Sequence, residues 1–322
     1  MNIPRPLRAL LRLSLAVTLL HAWFGAFVRI SGSGMGCGDS WPRCAGAWFP
    51  PMDQPTLVIE WTHRLLAGVV FAAVLLAATV AWRARASEGI GKRGGVLRPI
   101  LVALGLASAA IILGAVTVWL NNLPLATVAH MIIAAALIAT LATSLVRAGD
   151  LGGATPGSGT AKLFRGSAAA AGLALAVLIV GGLTAKVPGA NVVCPSFPLC
   201  GAGVSSPIAT RLVLIQMTHR VLAILLFFHL FGLTMASRKL HGAPAAVRAV
   251  RISFALAWAQ MLIAGAMIGM QMPPALRSLH QVVGVLLWLA IVVTTLLARR
   301  GAPAEAPLPP SIAVIIARGG GA

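Results

Sequence analysis

Four histidines, four cysteines and one acid supply most of the chemistry open to this chain. His63 stands in Glu60-Trp61-Thr62-His63-Arg64, and His219 in Gln216-Met217-Thr218-His219-Arg220. His130 follows Gly114-Ala115 much as His280 follows Gly265-Ala266. A cysteine pair precedes each first histidine, Cys37 with Cys44 and Cys194 with Cys200. The chain is therefore a duplicated unit, each copy with two cysteines and two histidines in very apolar surroundings. A neutral imidazole is a good ligand for iron, and ionisable groups in apolar helices point to function by default.

The elements that must position these groups are helices long enough to span a membrane. Hydrophobic residues make up 59% of the 322 and charged residues 10%, against about 25% charged in a soluble domain. Crossing about 30 Å of hydrocarbon takes roughly 20 apolar residues. Eight segments qualify: Leu13–Ile30, Leu57–Trp82, Pro99–Leu120, Leu125–Val146, Gly166–Ala185, Leu212–Ala236, Ile252–Met272 and Leu276–Ala298. The fold class is an all-α polytopic membrane protein with eight transmembrane helices. Four helices per copy make both copies enter the membrane in the same sense. The expected arrangement is two tandem four-helix bundles related by a pseudo-two-fold axis along the membrane normal. Residues 1–150 form the first half, 151–300 the second, and 301–322 a loose cytoplasmic tail.

A net charge of +19 would suit nucleic acid, but its distribution excludes that reading. Most basic residues fall on alternate connections, as the positive-inside rule requires of cytoplasmic loops. Both termini are then cytoplasmic and the cysteine loops extracytoplasmic. Arg29, Arg43, Arg64, Lys186, Arg211, Arg220 and Arg277 are the basic residues left on the outer side. No cleavable signal peptide is expected, because no small-residue cleavage site follows the first helix.

All four repeated histidines fall at similar depth near the outer side, two per half. Facing helices of a bundle hold cofactors in this way, and two imidazoles on opposite faces of a porphyrin would make a bis-histidine heme site in each half. The competing reading is a set of hydrogen-bonded packing histidines or a proton relay. His21, His229 and His241 have no repeat partner; the first two read as satisfied interior residues, the third as cytoplasmic loop. Arg64, Arg220 and Arg277 lie beside the key histidines, where they either pair with heme propionates or snorkel to headgroups. Glu60 lies one turn before His63, yet its counterpart is Gln216, so acid chemistry belongs to the first half alone. The oxidising outer compartment favours disulfides, and the repeat favours the local pairs Cys37–Cys44 and Cys194–Cys200 over other pairings or a zinc site. Whether such bonds are staples or redox-active is open at this point.

Taken together these residues resemble the heme A synthase family, over nearly the whole chain and in the bacterial form with a cysteine pair in each half. The resemblance rests on Gly32-Ser33-Gly34-Met35-Gly36-Cys37-Gly38 with Trp41-Pro42 and Cys44, on Glu60-x-x-His63-Arg64, on Cys194-Pro195 with Cys200, on Thr218-His219-Arg220, and on His130 and His280. It implies oxidation of the C8 methyl of heme O to the formyl group of heme A by successive hydroxylations, for supply to a terminal oxidase. It implies substrate heme on His63 and His130, a heme b cofactor on His219 and His280, and Glu60 as the important acid. Heme O synthase, oxidase assembly factors and membrane lipid are the partners it suggests; the electron donor stays unnamed. Two rivals are a diheme b-type cytochrome that only relays electrons and a heme transporter or chaperone.

Overall fold

The computed structural model describes residues 3–154, 160–200, 206–240 and 243–301. His241 and the tail beyond Gly301 lie outside the described residues. Among those described there are eight helices and no strand: α1 (Arg5–Ile30), α2 (Pro55–Arg83), α3 (Leu97–Trp119), α4 (Pro124–Arg147), α5 (Ala161–Lys186), α6 (Pro207–Ser237), α7 (Pro244–Gly269) and α8 (Pro274–Gly301). All eight are long and apolar enough to cross a membrane, so this is a multi-pass membrane protein. Proline stands in the first turn of α1, α2, α4, α6 and α7, where its missing N–H leaves no helical bond unmade. Thr160 and Ser206 cap α5 and α6 by accepting the N–H of Leu163 and Ala209.

Helix ends differ from the apolar runs in two ways. α1 and α7 each begin eight residues before the expected span, because a helix continues through Arg8, Arg12, Arg248 and Arg251 while hydropathy reads only its apolar part. With 26 residues each, they reach about 39 Å at 1.5 Å per residue. At the other end, α7 stops at Gly269 rather than Met272: Gln271 and Met272 take left-handed backbone, φ 59° and 65°, in the turn to α8. Asn121 and Asn122 do the same between α3 and α4. The Asn122 amide also donates to the Gly34 carbonyl at 2.8 Å, tying this turn to the loop after α1.

α1 to α4 pack in a closed ring, each on the next and α4 back on α1; α5 to α8 do the same. The rings meet along α4 and α8, flanked by α1 on α8 and α5 on α4. In lipid, apolar side chains gain little by leaving the bilayer, so close approach through small residues holds helices together. Ala77, Ala78 and Ala81 of α2, Ala103 and Ala107 of α3, and Ala170 and Ala174 of α5 are buried accordingly. Ser14, Ser144 and Ser253 are also buried, each hydroxyl donating to the carbonyl one turn back. Across the seam the Trp288 indole donates to the Ala135 carbonyl at 2.9 Å, and within the second ring Thr295 of α8 donates to the Ser167 carbonyl of α5. At the end away from the cysteines, Arg12 grips both Asp150 oxygens at 2.8 Å, and Arg300 donates to the Val146 and Gly153 carbonyls.

Candidate functional site

Disulfides join Cys37 to Cys44 and Cys194 to Cys200, and among the described residues no cluster of three or more His, Cys, Asp or Glu gathers as a zinc site would. Each disulfide loop is held by the helix that follows it. Glu60, buried in α2, accepts the Cys37 N–H at 2.8 Å with one oxygen and pairs with Arg64 at 2.6 Å with the other. Arg64 then donates to the carbonyls of Ser40 and Arg43, both at 2.7 Å. The loop lies so tightly on the start of α2 that a Cβ on Gly36 would collide with the Thr56 carbonyl. In the second copy, Gln216 accepts the Cys194 N–H at 3.0 Å. Arg220 donates to the carbonyls of Cys194, Ser196, Pro198 and Leu199 and stacks over Phe197.

The two arginines expected near propionates thus spend hydrogen bonds on backbone carbonyls of the loops. Arg220 nevertheless lines, with Arg277, Arg29 of α1, His219 and His280, a mostly apolar cavity inside the second ring. Met131 of α4 and Trp288 of α8 complete part of that wall. Arg29 was not singled out from the sequence, where it is one outer-side cation among several.

Each histidine ring lies against a small residue or polar group of a neighbouring helix. A Cβ on Gly25 would come within 3.0 Å of His63 Cε1, and one on Gly181 within 2.7 Å of His219 Cε1. A Cβ on Gly114 would approach His130 to 3.6 Å. Gly25 and Gly181 sit 156 residues apart, the same interval as His63 and His219. That spacing was a usable signal which a search for chemical side chains passes over.

Polar partners set His219 apart from the other three repeated histidines at Nδ1. His219 Nδ1 donates to the Val177 carbonyl at 3.2 Å, and Gln260 donates to the His280 carbonyl at 3.0 Å with its amide nitrogen 3.3 Å from the imidazole Nε2. The Nδ1 atoms of His63, His130 and His280 are buried without a hydrogen-bond partner among the described residues, so of the four repeated histidines His219 alone has its Nδ1 partnered. Ala109 stands where the repeat has Gln260. His229 donates to the Gly166 carbonyl, as an interior residue should. His21 does not behave as a satisfied interior residue: its ring stacks face to face on His63, centroids 4.2 Å apart and planes within 9°, and its own Nδ1 is unpartnered.

In the second ring two imidazoles, a glycine that leaves His219 room, apolar walls and cavity-lining arginines fit an iron porphyrin, and the first ring repeats the imidazole pair and the glycines. Imidazole buried among apolar groups is a donor that heme iron takes.

Comparison with known proteins gives the same direction. Curated relatives named heme A synthase include proteins of Shouchella clausii (31% identical over 63% of this chain and 66% of that protein), Bacillus cereus strain AH187 (29% over 78% and 79%) and Geobacillus kaustophilus (52% over 19% of each). In the Geobacillus and Shouchella matches the chain spans less than two thirds of the relative's length. The profile of the COX15-CtaA family, described as cytochrome oxidase assembly protein, matches residues 8–292, and the chain belongs to that family.

Proposed function

We propose that the protein is a heme A synthase, a membrane enzyme that oxidises the C8 methyl of heme O to the formyl group of heme A by successive hydroxylations. The carrying observation is the histidine pair in each ring of helices, in a chain of a family whose relatives bear that name. His63 and His130 hold the substrate iron in residues 1–150, and His219 and His280 hold heme b in residues 151–300. Heme b, when bound, supplies one-electron chemistry. Arg277 and Arg29 would partner its propionates, beside Arg220, which lines the same cavity while holding the loop; Arg64 holds the first loop.

Glu60 is the only acid in any helix among the described residues. It lies one turn before His63, where a carboxyl group can stabilise positive charge or handle a proton during methyl oxidation. The helix contacts map onto themselves when α1–α4 and α5–α8 are exchanged, which supports the pseudo-two-fold axis. Charge asymmetry supports cytoplasmic termini and outer cysteine loops in a bacterial cell membrane. Heme O synthase and oxidase assembly factors are then the proteins upstream and downstream.

Extraction of the hemes from purified protein tests the reading. Hemes O and A alongside heme b are expected. Heme b alone, from cells that make heme O, would overturn it.

A further inference from the structure

The repeat sets His21 opposite Val177, as it sets His63 opposite His219. In the second ring of helices the residue-177 carbonyl receives the Nδ1–H of His219, with Gly181 one turn on leaving the carbonyl open. In the first ring Gly25 leaves the same opening, yet His63 Nδ1 makes no such bond. In that ring of helices the His21 side chain lies flat on the His63 ring. Phe24 flanks the same ring, its plane 20° from that of His63.

Resting on the proposed function, we infer that His21 is a positioning residue that makes the first heme site the exchanging one. Stacking fixes the His63 ring plane and turns its Nδ1 away from the α1 carbonyl. Iron-ligating histidines ordinarily donate their second N–H to a carboxylate, carbonyl or water, which raises ligand basicity, and losing that partner weakens metal binding about 10- to 100-fold. His219 has the partner and His63 lacks it. A substrate site must release its heme once the formyl group is made; a resident cofactor must not. The two ligands differ in the sense those tasks require, and the difference traces to one side chain.

The test is heme transfer to excess apomyoglobin from the full-length protein loaded with protoheme at both sites, followed optically. Wild type should release in two phases, the fast one absent in His63→Ala. His21→Val, the residue the repeat already carries, should slow the fast phase about 10-fold or more and shift that heme to a lower reduction potential. His21→Phe keeps a flat ring and should release like wild type, which also separates stacking from any ligation by His21. Val177→His should quicken the slow phase. An unchanged or faster fast phase in His21→Val overturns the inference, as does a single phase in wild type, and heme A production in either case leaves the proposed function standing. Failure of wild type to take up any His63-dependent heme sinks both.

Discussion

Glu60→Gln separates a charge from a clamp. The carboxylate does two jobs, accepting the Cys37 N–H at 2.8 Å and pairing with Arg64 at 2.6 Å. A glutamine amide keeps the first, as Gln216 does for Cys194 at 3.0 Å. What disappears is one charge-assisted bond, worth about 1.5–3 kcal/mol. The remaining Arg64 is not stranded, because the Ser40 and Arg43 carbonyls still receive it. Arg220 shows the same group held by four carbonyls with no carboxylate. The cost should therefore stay below the about 3–5 kcal/mol of an abandoned buried charge, and the variant should fold and keep heme b. Losing a positioned acid or base removes about 10²- to 10⁴-fold in rate, so heme A should nearly vanish while heme O or a hydroxylated intermediate accumulates. Chromatography of extracted hemes, normalised to heme b absorbance, reads both quantities. Near-normal heme A from Glu60→Gln would refute a chemical role for the charge and leave Glu60 as a loop anchor only. The reciprocal Gln216→Glu should leave the product unchanged.

Other expectations follow from the same geometry. His219→Ala and His280→Ala should each abolish the low-spin heme b spectrum while the protein stays in the membrane; a full spectrum in either variant rules out that ligand. Gly181→Ala puts a methyl group 2.7 Å from His219 Cε1 and 3.0 Å from its Nδ1. Overpacking of this kind costs about 1–3 kcal/mol and should displace the ring from the Val177 carbonyl, which the heme b spectrum reports; Gly68→Ala, which meets nothing within 4 Å, is the neutral control. Thiol labelling should fail on all four cysteines until a reductant is added, and then succeed with a reagent confined to the outer side. Labelling that requires opening the cytoplasmic side would reverse the proposed topology.

The helices were legible because lipid imposes one rule on every span, and the apolar runs fall inside them but for a residue or a few at the ends of α3 and α7. The ends were not, since α1 and α7 carry arginines among their first eight residues without breaking. The four repeated histidines were found by duplication, and duplication also hid His21, whose meaning lies in having no copy. Arg64 and Arg220 were visible as cations beside histidines. Their direction depends on where the loop carbonyls fall, and no spacing along the chain encodes that. Arg29 escaped notice because it reaches from α1 into a cavity built mostly by α5–α8.

That reach has a consequence for how the gene can be cut. His130 lies over Gly114 of α3, while the next residue, Met131, lines the cavity that holds His219 and His280. Adjacent positions on α4 thus look into different chambers, and α1 lends Arg29 to the far one. The duplicated copies have become mutual scaffolding and are no longer modules. A polypeptide ending near Gly149 and another beginning near Thr160, made in separate cells, should each leave the second chamber with a missing wall. Made together, they should rebuild it.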